Sequence, residues 1–255
     1  MKYITAALAV TGALYALTPA AATASPVDME TNTQSFSVRL GATRVIYDPA
    51  SNGTTLSVVN PQGYPILLQS EALAEDMKGR APFMVTPPLM RLDAQQQGRL
   101  RIVRTGGSFA ADRESLQWLC AKGIPPKADD AWAKGAGGKS AAPKDKVSMN
   151  VQLSINSCIK LFVRPSAVKG STTDAARNVT WQWQGNTLKG TNNSPFYINL
   201  TSLKAGSNSV DMPQYISPFS SQEYTVKGGK TSGQITWKII NDYGGESPLL
   251  QASAQ

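Results

Sequence analysis

Apolar and polar residues along this chain alternate in short bursts rather than recurring at helical spacing. Phe36, Val38 and Leu40 are separated by polar neighbours, and Val45-Ile46-Tyr47 runs into the turn signals Asp48-Pro49 and Asn52-Gly53. Further bursts follow at Leu56–Val59, Tyr64–Gln69, Phe83–Val85, Leu89–Leu92, Leu100–Val103 and Leu116–Leu119. Gly, Pro, Asn and Ser punctuate them, and no long helix is expected. Many short strands with turn residues between them predict an all-β fold of the sandwich kind.

The longest burst comes later. Val147, Met149, Val151, Leu153 and Ile155 are apolar, whereas Ser148, Asn150, Gln152 and Ser154 are polar. This strict alternation over nine residues outruns the usual strand of about five or six. Periodicity by itself reads it as a sandwich strand packed in its own core. Beyond it Cys158, Lys160 and Phe162 fall on even numbers, which predicts a phase slip through a β-bulge near Asn156-Ser157. Residues 122–146 interrupt the pattern: Lys122-Gly123-Ile124-Pro125-Pro126 leads into a Lys-, Ala-, Gly- and Asp-rich segment that predicts a long loop.

Arg164-Pro165 marks a domain boundary, after which a second set of strands is expected at Val179–Trp183, Pro195–Leu200, Tyr224–Val226 and Ile235–Ile239. Trp181 and Trp183 read as core or covered-face residues ahead of a carbohydrate-stacking platform. The expected domains are 25–165, with a donor strand over 147–163, and 166–245, followed by a flexible tail at 246–255.

Residues 1–24 are expected to fall outside the fold. Lys2, the apolar run Ile4–Leu17 and Ala22-Thr23-Ala24 make a secretory signal peptide with cleavage near Ala24. The run is shorter than the ~20 apolar residues of a transmembrane helix, and no later segment predicts membrane insertion. Export changes how the cysteines are read: Cys120 and Cys158 are the only two, and an even pair in an oxidising compartment is expected to be a disulfide. The chain has no histidine, which removes Ser-His-Asp and Cys-His catalysis and most zinc sites. No catalytic residue, metal or cofactor is expected. A net charge of +8 is spread over scattered Lys and Arg with no aromatic interleaving, so nucleic acid is not an expected partner.

An ordered set of motifs carries a resemblance. Gly41-Ala-Thr-Arg44-Val-Ile-Tyr47, Tyr64-Pro65-Ile-Leu-Leu-Gln69-Ser70, Arg113-Glu114-Ser115-Leu116, Gly123-Ile-Pro-Pro126 and Cys158-Ile-Lys160-Leu-Phe-Val-Arg164-Pro165 resemble the PapD-like periplasmic chaperones of the chaperone–usher pathway. Ser217-Pro218-Phe219-Ser220 and Ile235-Thr-Trp237-Lys-Ile-Ile-Asn-Asp242-Tyr-Gly-Gly245 extend the likeness through the second half. The extended N-terminus, the long loop and the cysteine pair are similar to the long-loop branch, whose members assemble thin or capsule-like fibres.

The resemblance implies two immunoglobulin-like β-sandwich domains in an L-shaped (boomerang) arrangement, located in the periplasm. It implies a partner that is a fimbrial or capsule-like fibre subunit, capped by donor-strand complementation and delivered to an outer-membrane usher. Val147, Met149, Val151, Leu153 and Ile155 would be the donor positions. Arg44 and Lys160 would grip the subunit's C-terminal carboxylate, and Glu114, Arg164 and Asp242 would form an inter-domain charged cluster. The alternative is a fibre subunit or adhesin of the same system; its expected apolar donor extension is not matched by the mostly polar residues 25–35. A secreted glycosidase with paired carboxylates is a weaker third reading. The resting state stays open: an unoccupied donor strand is an aggregation hazard, and a self-capping oligomer is one way to cover it.

Overall fold

The computed structural model describes residues 29–126, 130–133, 147–211 and 214–255. The signal peptide expected at 1–24 and most of the loop expected at 122–146 therefore lie outside the described residues.

Among the described residues the first domain holds eleven strands: β1 (Met29–Phe36), β2 (Arg39–Leu40), β3 (Arg44–Tyr47), β4 (Thr54–Val59), β5 (Ile66–Leu73), β6 (Phe83–Thr86), β7 (Leu89–Leu92), β8 (Gln97–Arg104), β9 (Ser115–Ile124), β10 (Val147–Ser154) and β11 (Asn156–Val163). A five-stranded sheet, β3-β11-β9-β5-β7, packs on a four-stranded sheet, β2-β4-β8-β6. Alternation supplies the shared core. On β5, Ile66, Leu68 and Ala72 point inward with Leu119, Leu161 and Val163, and Val58, Leu100 and Ile102 meet them from the other sheet. β1 and β10 form a separate two-stranded parallel ribbon.

The second half begins with α1 (Thr172–Arg177), capped by the Ser171 hydroxyl accepting from the Asp174 N–H. It continues with β12 (Thr180–Gln184), β13 (Thr187–Asn192), β14 (Leu200–Ala205), β15 (Asn208–Ser209), β16 (Ser220–Thr225), β17 (Ile235–Ile239) and β18 (Leu250–Ala252). Sheets β12-β13-β16 and β15-β14-β17-β18 enclose a second core. Trp181 and Trp237 fill its centre with ring centroids 5.3 Å apart, and Trp183 is partly buried beside them. These rings are packing rather than a sugar platform. Trp181 lies flat because its cross-strand partner is Gly190, where a Cβ would come within 2.7 Å of the indole.

The same device ties a corner in each domain. Asn60, fully buried, donates to the carbonyls of Tyr64, Leu92 and Asp93, and its own carbonyl accepts from the Gln62 N–H. Asn192 does the same with Phe196, Ile216, Ser217 and Ser194. A buried side-chain amide satisfies backbone groups that no strand reaches.

Three expectations are corrected. Residues 246–255 are not a flexible tail: β18 pairs with β17, Leu250 is buried, and Gln255 exchanges backbone hydrogen bonds with Trp181 and Trp183. The segment's weak strand propensity is overridden by an available sheet edge. The loop does not begin at residue 122, because β9 runs to Ile124. No bulge lies at Asn156-Ser157: β11 pairs with β9 in unbroken register, and Ile159, Leu161 and Val163 keep the odd face inward. What looked like a phase slip is a second apolar face on the even residues. Residues 29–36, most of them in the mostly polar stretch 25–35, form β1, a strand that the sequence did not predict.

Cys120 and Cys158 are directly opposite each other on β9 and β11 and are joined in a disulfide across a sequence separation of 38. Closing a loop of that length is worth about 4 kcal/mol by chain entropy, and measured gains are often smaller. A Cys120→Ala/Cys158→Ala chain should therefore be less stable by about 2–4 kcal/mol in denaturant titrations. An unchanged midpoint would assign the disulfide no stabilising role.

Candidate binding cleft and edge strand

The outer face of the five-stranded sheet turns toward the second domain. Strand pairing sets one row of residues across it: Arg44 on β3 opposes Lys160 on β11, Lys160 opposes Trp118 on β9, and Trp118 opposes Leu73 on β5. One register step along, Phe162 and Leu116 pack with Tyr197 of the second domain in a small apolar seam. Above that seam opens a cleft of about 590 Å³, with Asn199, Leu200, Tyr215 and Ile240 forming its far wall.

Two cations sit in this cleft. Arg44 is only 7% exposed; one terminal guanidinium nitrogen donates to the Ile240 carbonyl at 3.0 Å, and its buried Nε has no partner. Lys160 donates to Asn199 Oδ1, and its ammonium lies 4.4 Å from the Tyr215 ring centroid. Among the described residues neither cation forms a salt bridge. Burial pushes the Arg44 pKa down, and the more distant charges of Asp242 and Glu114 oppose that shift. Burial, then the charge of Arg44, lowers Lys160 from 10.5 to about 8. Two like charges on facing strand positions, one of them with a spare buried donor, are under-compensated, which is the electrostatic condition for an anion site.

Glu114, Arg164 and Asp242 meet at the domain junction. Arg164 donates to Glu114 Oε1 at 2.7 Å and bidentately to Asp242 at 2.8 and 2.7 Å. Glu114, 2% exposed, also accepts the Tyr197 N–H at 2.7 Å, and Thr172 donates to Asp242. Burial raises the Glu114 pKa, with the Arg164 charge offsetting part of the effect. Every strong donor and acceptor in the cluster is used, which is what makes burial of three charges tolerable.

β10 lies apart from both cores. β1 holds one of its edges, and no strand among the described residues holds the other. Met149 is 52% exposed, Leu153 45% and Ile155 39%, while Val151 is half-buried. The opposing positions on β1 are Thr31, Thr33 and Ser35. An unpaired edge with an exposed apolar row is normally avoided because it invites another strand. The ribbon is fixed at its base, where the Gly123 N–H donates to the Ile155 carbonyl and the Ile155 N–H donates to the Phe36 carbonyl. A Cβ at Gly123 would lie 2.2 Å from that Phe36 oxygen, so only glycine lets the three strands meet.

The match to known proteins fits this geometry. A family model described as the N-terminal domain of the PapD pili and flagellar-assembly chaperone covers residues 37–169, and the C-terminal domain model of the pili assembly chaperone PapD covers 174–251. The chain belongs to the PapD family of pilus-assembly chaperones. The Escherichia coli chaperone protein AfaB is 62% identical over 200 residues, 78% of this chain and 80% of its own. The Yersinia pestis chaperone protein PsaB is 44% identical over 244 residues, 90% of this chain and 88% of its own. Among solved structures, the E. coli chaperone DraB superposes with a TM-score of 0.75 at 56% identity, covering 89% of this chain and all of that one. The Salmonella enterica chaperone SafB, solved in complex with the SafA pilin, gives 0.76 at 46% identity, covering 88% and 99%. These relatives decide for a chaperone over a fibre subunit or adhesin.

The sequence named the cation pair and the charged triad, and the structure brings each set together. It missed β1, Asn199, Trp118 and Tyr215. A signal existed for Trp118: it shares parity with Leu116 and Cys120 but not with Leu119, which marks a strand with two apolar faces.

Two measurements follow from these contacts. Asp242→Ala removes two charge-assisted hydrogen bonds of Arg164 and leaves it paired with Glu114 alone, which should cost about 1.5–3 kcal/mol; an unchanged melting temperature would show that the Asp242 contact carries no stability. Lys160 binds its proton less tightly folded than unfolded, so its burial penalty is full below about pH 8 and relieved as pH rises toward 10.5. The free chaperone should gain stability over that window relative to a Lys160→Met variant, and parallel pH curves would refute the assignment.

Proposed function

We propose that this chaperone works in the periplasm, after removal of residues 1–24, by lending β10 to an incomplete fibre subunit. The subunit's strand joins the free edge of β10, and backbone hydrogen bonds complete its sheet. Met149, Val151, Leu153 and Ile155, with Val147 at the far end, fill its open groove. Arg44 and Lys160 grip the subunit's terminal carboxylate, the arginine through its forked donors and the lysine as a point charge. The held subunit is then handed to an outer-membrane usher.

One observation carries this reading: the exposed apolar edge strand and Lys160 of the under-compensated cation pair belong to a single extended run, with Arg44 on the adjoining strand. Ile155 and Lys160 are five positions apart, roughly 16 Å along a strand. A client chain anchored at Lys160 is thereby set in register on β10, which alternation alone would leave free to slip by two residues. Glu114, Arg164 and Asp242 hold the domains so that both walls of the anchor stay in place. The pilin in the SafB complex supports the nature of the client.

Co-purification with a co-expressed fibre subunit, paired with melting of each purified variant, tests the reading. Val151→Asp should abolish capture, because an unpaired charge in an apolar groove is strongly disfavoured, while the free chaperone melts normally. Lys160→Met should raise the stability of the free chaperone at neutral pH yet weaken capture, since it removes a charge-assisted hydrogen bond worth about 1.5–3 kcal/mol. Wild-type affinity should fall as pH rises above about 8, and the variant's should not. Full capture by both variants would sink the proposal.

A further inference from the structure

The cleft is larger than a carboxylate requires. At about 590 Å³ it falls in the range of pockets that hold whole small molecules, roughly 300–1,000 Å³. Its chemistry is also graded. Along the cross-strand row the lining side chains run Arg44, Lys160, Trp118, and the far wall adds Leu200 and Tyr215. The two cations are adjacent in that row, and the indole stands beyond them.

The aromatic walls are held in place before any client arrives. The Trp118 indole N–H donates to the Glu75 carbonyl at 3.0 Å. The Glu75 carboxylate accepts from the Tyr215 hydroxyl at 3.1 Å and from the Tyr197 hydroxyl at 3.3 Å. One residue of the first domain thus orients a ring from each domain. Tyr215 gives one face to the Lys160 ammonium; Trp118, whose ring centroid is 5.9 Å from that nitrogen, is half-exposed toward the cleft. A fixed, partly exposed indole beside an anion seat offers contact area at little entropic cost.

We propose that this apolar end is a side-chain subsite, which takes the side chain of the client's last residue and selects a bulky apolar or aromatic one. The inference rests on the carboxylate anchor proposed above. It goes further by assigning the chain-end selectivity to Trp118 and Tyr215 and the preorganisation to Glu75. A purely electrostatic cleft makes the opposite choice: a terminal aspartate, with two carboxylates for two cations, would bind best.

The test uses the whole chaperone and short acetylated Gly/Ser peptides that differ only in their last residue. Phe, Ser and Asp free acids and the Phe amide are titrated by NMR. The Phe acid should bind about tenfold or more tightly than the Ser acid, the scale of discrimination an apolar pocket supplies. It should also outbind the Asp acid. Trp118→Ala should remove most of the Phe preference while leaving the Ser acid's affinity in place. Where that variant melts low, Tyr215→Ala alters the opposite wall from the other domain and should do the same. Glu75→Gln should weaken the preference without touching the peptide. Equal affinities for Phe and Ser acids, a preference for Asp, or no binding of the Phe acid at millimolar concentration would overturn the subsite. If the Phe amide binds as well as the acid, the carboxylate anchor itself is at fault.

Discussion

The structure turns on one junction of three backbones. At Ile155 the chain leaves the edge ribbon and enters the domain's sheet: its N–H is taken by Phe36 and its carbonyl by Gly123. Those two hydrogen bonds divide a single extended run into a half whose groups are satisfied internally and a half with an unfilled edge. An unfilled edge is a liability unless something is meant to fill it. The disulfide between Cys120 and Cys158 lies two residues from Lys160 on the same strand, so the base of the ribbon and the cation pair are fixed together.

Charge placement serves two separate ends. The triad of Glu114, Arg164 and Asp242 is internally paired and joins the domains, so its charges are spent on geometry. Arg44 and Lys160 are not neutralised by a neighbour, and burial depresses both pKa values. The free protein bears that electrostatic strain, and a bound carboxylate would relieve it. At the proposed carboxylate anchor this is the familiar opposition between stability and function.

Much of this was legible before the fold was known. Short alternating bursts marked the sandwiches, the nine-residue alternation marked a strand without saying what covers it, and the cysteine pair with an expected export signal marked the disulfide. The grouping of Arg44 with Lys160, and of Glu114 with Arg164 and Asp242, came from motif resemblance. Nothing in local sequence places residues 78 positions apart in contact, as Arg164 and Asp242 are.

Sequence by itself determined the periodicities: which residues share a face on each strand, because side-chain direction follows from strand pitch alone. Tertiary structure decided everything that depends on partners. The weakly patterned segments at 29–36 and 250–252 became strands because an edge was available to them. The even residues of β9 and β11 became a second apolar face because another domain docks there. Whether Met149 and Leu153 are core or donor could not follow from alternation, since a strand packed on its own sheet and a strand held open for another chain carry the same pattern. The difference lies only in what stands opposite, and that is fixed by how the whole chain closes.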